Sequence, residues 1–97
     1  AIEILDEIIQ SKNEFYSILA LNKVLEKNLI TDKNKIIKYF DLIEKNNSNK
    51  DQRDLLILKK SLYLIKMSES DKGNKLLQSL IESNSKFKLL AEEIKTK

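Results

Sequence analysis

The chain has 97 residues, 41% of them hydrophobic and 34% charged, with 18 Lys and Arg against 15 Asp and Glu for a formal net charge of +3 and neither His nor Cys. Without His and Cys the commonest transition-metal ligands, disulfides and most nucleophile–base pairings are gone, so no catalytic, cofactor-binding or metal-binding residue is expected. The lysines are interleaved with acids, which argues against a nucleic-acid face, and no apolar run approaches the ~20 residues that span a bilayer.

Pro is absent and Gly73 is the only glycine, so turns fall to Ser, Asn and Asp and helices are favoured throughout. Residues 1–10 carry an amphipathic stripe of Ala1, Ile4, Leu5, Ile8 and Ile9, with acids where a signal peptide carries bases. Ser11 and Glu14 form a capping-box pattern that predicts a helix over 12–30, with Ile18, Leu19, Leu21, Val24, Leu25 and Leu29 spread around its axis. Thr31 opens a helix over 32–46 with Ile36, Tyr39, Phe40 and Ile43 on one face and Lys38, Asp41 and Lys45 opposite. Ser48 and Asp51 repeat the capping pattern before 49–67, where only a narrow strip near Lys59 and Lys66 is polar. Ser68 opens 70–83 with a one-sided stripe of Gly73, Leu76, Leu77 and Leu80, and Ser85 opens 86–95.

Ser11, Ser48 and Ser85 stand 37 residues apart, as do Thr31 and Ser68. Largely apolar first helices alternating with one-faced second helices predict an all-α, tetratricopeptide-like solenoid of antiparallel helix pairs with about six helices. The expected organisation is a single domain over 1–97: an unpaired helix 1–10, repeats 11–46 and 48–83, and a terminal helix 85–95. A closed helical bundle is the alternative architecture.

Val24, Ile36, Phe40 and Ile43, then Ser61, Gly73, Leu77 and Leu80, take the spacing of the tetratricopeptide repeat, and the chain resembles that family. More narrowly, Phe15 through Ile94 is similar to the soluble domain of a family of single-span bacterial inner-membrane proteins. The residues that carry this are Ala20, Leu21 and Val24, then Asp71-Lys72-Gly73, then Phe87-Lys88-Leu89-Leu90-Ala91-Glu92-Glu93-Ile94. The resemblance implies the periplasmic side of the inner membrane, an anchor in a segment outside this chain, and association with the Sec translocon and periplasmic chaperones.

Other marks have bland readings. The neighbouring acids of Asp6-Glu7 and Glu92-Glu93 point about 100° apart on a helix and do not converge on a substrate. Gly73 reads as a close-packing position, and Tyr16, Tyr39, Phe40 and Tyr63 as core or rim residues, too scattered to stack bases. The expected function is a non-catalytic protein–protein interaction module, an accessory scaffold for membrane-associated export or periplasmic chaperone networks. A self-assembling scaffold and a basic nucleic-acid-binding helical domain are the alternatives. In a tetratricopeptide-like groove the partner-facing positions are Ile18, Asn22, Leu25 and Leu29, then Leu55, Lys59, Leu62 and Lys66. They would take a protein or peptide, a second copy, or a missing segment of the same protein. Leu21, Leu25, Leu58 and Leu62 stand where a carboxylate clamp needs Lys and Asn.

Overall fold

The computed structural model describes residues 2–11 and 13–95, so Ala1 of the expected first stripe lies outside the described residues. The described chain is all-helical: α1 Ile2–Gln10, α2 Glu14–Lys27, α3 Lys33–Asn46, α4 Lys50–Lys66, α5 Ser70–Glu82 and α6 Lys88–Lys95. It divides into two compact units, Ala1–Ser48 and Asn49–Lys97.

The helix starts differ from the serine and threonine caps expected from sequence. Asn13 caps α2 through a 2.9 Å bond from the Tyr16 amide, and Asn49 caps α4 through a 3.0 Å bond from that of Gln52. Asp32, not Thr31, caps α3 with bonds of 3.0 and 3.4 Å from the Asn34 and Lys35 amides. Before α5, Ser68 is a left-handed residue ending α4, and Glu69 holds the cap position without a side-chain bond. The reason is competition: Ser11 donates its hydroxyl to the Ile8 carbonyl at 2.6 Å, and Ser48 is held by Glu14. Ser85 keeps a capping role, accepting from the Phe87 amide at 3.1 Å.

The ends of α2, α4 and α5 follow one scheme without glycine. Asn28, Ser68 and Asn84 adopt φ of 52°, 66° and 55°. The following amide in each case reaches back five residues, Leu29 to Val24, Glu69 to Leu64 and Ser85 to Leu80, and satisfies a terminal carbonyl.

In the first unit α1 packs on α2 and α3. The Ser17 hydroxyl donates to the Ile8 and Ile9 carbonyls at 3.0 and 3.2 Å, and the Tyr39 hydroxyl donates to the Asp6 carboxylate, tying α1 to both neighbours. Glu14 accepts from the amide and hydroxyl of Ser48 at 2.9 and 3.3 Å, which fastens the chain after α3 to the start of α2.

In the second unit Leu58, Leu77, Leu80 and Ala91 form the buried cluster, with Leu55, Ile65, Phe87 and Ile94 packed around it. Gly73 lets α5 approach α4: a Cβ there would stand 2.7 Å from Ile65 Cγ1 and 2.8 Å from the Ser61 carbonyl oxygen. Asp54 accepts from Lys50 at 2.7 Å and from the Ser85 hydroxyl at 2.8 Å, joining the start of α4 to the turn before α6.

The 37-residue interval relates part of the burial pattern, although Leu19 and Leu56, Lys27 and Leu64, and Ser48 and Ser85 each pair an exposed residue with a buried one. Ser17 and Asp54, Leu21 and Leu58, Val24 and Ser61, Phe40 and Leu77, and Ile43 and Leu80 are buried pairs at that separation. Lys38, Asp41 and Lys45 are exposed, as their place opposite the α3 stripe predicts.

Candidate functional site

In α2, Ile18, Asn22 and Leu25 follow one another at helical spacing on one face and are half-buried, and Leu29, just past the helix, is 36% exposed. In α4, Leu55, Lys59, Leu62 and Lys66 repeat the spacing. Leu55 packs on the core of its own unit, Lys59 is half-buried, Leu62 is 44% exposed and Lys66 is exposed. Burial pushes the Lys59 ammonium below its ordinary pKa. Three of the residues therefore share a face of α2, with Leu29 just beyond its end, and four share a face of α4.

A second surface in the first unit was not legible from the apolar count. Phe15, Tyr16 and Leu19 are 62%, 57% and 48% exposed, so Tyr16 is not the core or rim residue expected. The α2 stripe of Ser17, Ala20, Leu21 and Val24 takes the buried face and turns these three outward. Their signal in the sequence is that stripe, whose small members Ser17 and Ala20 mark close helix contact. The Phe15 and Tyr16 rings meet edge to face, centroids 5.4 Å apart, and Tyr16 borders an open depression with Glu7, Ile8, Ser11 and Asn13.

A cleft of about 500 Å³ between α1 and α3 contains Asp6, Gln10, Asp32, Lys35, Lys38 and Tyr39. The Tyr39 hydrogen bond holds Asp6 below the usual carboxylate range, against the upward pull of burial, with help from Gln10 and Lys35. Burial, then the bond to Asp6 and its charge, push Tyr39 far above the usual phenol range. An acid made harder to protonate and a phenol made harder to ionise are the reverse of a tuned catalytic pair, and the arrangement is a latch between helices.

No family model, curated protein or solved structure matches the chain. Among the described residues no group of three His, Cys, Asp or Glu could hold a metal ion, and no helix is long and apolar enough to cross a membrane. What these surfaces offer is apolar contact with a few charges at the margin.

Proposed function

We propose that the protein is a non-catalytic protein-interaction module whose two helix pairs, α2–α3 and α4–α5, are successive tetratricopeptide-like repeats. One observation carries this. Ile18 and Leu55, Asn22 and Lys59, Leu25 and Leu62, and Leu29 and Lys66 each stand 37 residues apart, and all eight remain half-buried or exposed beside register partners that are closed into the core. A helix face left open at the same positions in two repeats suits an apolar segment of a partner, with Lys59 and Lys66 favouring acidic flanks. By the resemblance of Phe15–Ile94, the setting is the periplasmic side of the bacterial inner membrane, as an accessory scaffold beside the Sec translocon and periplasmic chaperones.

Titration of the isotope-labelled chain with apolar amphipathic helical peptides, read by amide chemical shifts, tests the binding face. Shifts should concentrate on α2 and α4, and Leu25→Asp and Leu62→Asp should each weaken binding about tenfold or more. Shifts confined to other helices, or variants that bind as the parent does, would sink the proposal. The setting is tested separately by a photo-crosslinking residue at position 62 in bacterial cells, where adducts only with cytosolic proteins would exclude it.

A further inference from the structure

The shelf formed by α1 and α2 has a sign. The charged residues of α1 are all acidic, Glu3, Asp6 and Glu7, in a chain of net charge +3, and Tyr39 already engages Asp6. Glu3 and Glu7 are exposed one turn apart. Beside them Ile4 is 59% exposed, and Ile8 borders the same depression as Tyr16. The shelf is an apolar and aromatic surface with an acidic edge.

Its chemical complement lies on the second unit. Leu89 is 80% exposed, the most open large apolar side chain among the described residues, and Leu90 is 46% exposed. Both project from the start of α6, Leu89 on the face opposite buried Ala91 and Leu90 to one side of it. Lys86, in the turn just before α6, is exposed, and Glu93 follows the leucines one turn on and is exposed. The order base, two leucines, acid matches the shelf, where Glu7 borders the same depression as Tyr16, and Leu19 and Lys23 follow Tyr16 at one-turn steps on the same face of α2. An isolated exposed leucine needs no explanation, but two adjacent ones in a chain that also carries an apolar shelf of complementary edge charge do.

We propose that a second copy of this chain seats its Leu89–Leu90 knob on the Tyr16 shelf, with Lys86 against Glu7, joining copies head to tail. The contact is heterologous, because each copy offers a knob at one place and a shelf at another, so copies can add in succession. Patches of this size belong to the weak class of interfaces, under about 1,200 Å² of total buried surface. The proposal does not rest on the partner-binding reading above, since none of the knob or shelf residues is among the eight proposed to hold a partner.

The test uses the full chain in sedimentation velocity from micromolar to millimolar concentration, with circular dichroism confirming that each variant keeps its helices. The parent should grow with concentration beyond a dimer, and less so at high salt. Leu89→Glu and Tyr16→Glu should each be monomeric alone, yet an equimolar mixture should form a one-to-one dimer, because one copy keeps the shelf and the other the knob. Lys86→Glu and Glu7→Lys should each weaken association about tenfold, and the double exchange should restore most of it. A parent monomeric at millimolar concentration overturns the proposal. So does a Leu89→Glu variant that still dimerises, which would mean shelf against shelf, or a mixture of the two variants that stays monomeric.

Discussion

Gly73 is the residue at which the α4–α5 contact is most exposed to a small change. Alanine gains about 1 kcal/mol of intrinsic helix propensity there. Its Cβ, however, would meet Ile65 Cγ1 at 2.7 Å and the Ser61 carbonyl oxygen at 2.8 Å, and a backbone carbonyl cannot swing away as a side-chain tip can. Overpacking of this kind costs about 1–3 kcal/mol, so Gly73→Ala should lower the urea midpoint while Lys75→Ala on the exposed face leaves it unchanged. The Tyr39–Asp6 latch makes a second prediction, with opposite signs at the two ends of the pH scale. The folded carboxyl of Asp6 lies below its ordinary 3.8, so its stabilising contribution is full above that value and is lost as pH falls through the folded pKa. Asp54 acts in the same direction: burial raises its pKa, but the bonds from Lys50 and Ser85 outweigh that and hold it low. Tyr39 is raised above its ordinary 10.0, so its contribution is full below that pH and falls as pH rises past it. Urea midpoints across this range should decline at both ends in the parent. Tyr39→Phe should shrink the alkaline decline and soften the acidic one, and parallel curves for the two proteins would show that the latch carries no pH dependence.

At the level of helices, the apolar spacing located all six elements, with ends within about four residues, because each helix buries a stripe and the stripe has a period. The 37-residue interval was legible for the same reason: Phe40 and Leu77, or Leu21 and Leu58, occupy equal places in equal stripes. The caps were not. Ser11-Lys12-Asn13 and Ser48-Asn49 each offer two capping side chains; Ser11 is drawn back to the Ile8 carbonyl, and Ser48 is taken by Glu14, a contact distant in sequence that no local pattern reveals. Asn49→Ala should therefore cost about 1 kcal/mol. Ser48→Ala should be nearly neutral, since Glu14 takes its stronger bond from the Ser48 backbone amide at 2.9 Å and only a 3.3 Å one from the hydroxyl. Thermal melts reversing that order would restore the serine to the cap. Of the eight groove positions, Ile18, Asn22 and Leu25 fall on one face of α2 and Leu55, Lys59, Leu62 and Lys66 on one face of α4, while Leu29 lies past the end of α2. The outward turn of Phe15, Tyr16 and Leu19 was not legible, because a helix apolar on all sides does not say which side stays open.

Over the whole molecule, stability should be uneven. The α4–α5 pair makes the most extensive helix contact and holds three of the four residues of the second unit's buried cluster, whereas α6 has eight residues and buries only Ala91, and α1 buries only Ile9. Amide hydrogen exchange should be slowest near Leu58, Ser61, Leu77 and Leu80 and fastest in α1 and α6. Uniform protection across the six helices would mean that the chain opens only as one body. A separate consequence follows from how the turns are made. The only glycine is spent where two helices touch, while three left-handed turn positions are held by residues that carry side chains. Asn tolerates that backbone region, but Ser68, at φ 66°, does so against its own Cβ. The chain therefore retains an unused margin of heat resistance in the turn that joins α4 to α5. Ser68→Gly should add about 1 kcal/mol and raise the midpoint of thermal unfolding by roughly 4–8 °C without altering peptide binding or self-association, and a lowered midpoint would show that the Ser68 hydroxyl does more than end a helix.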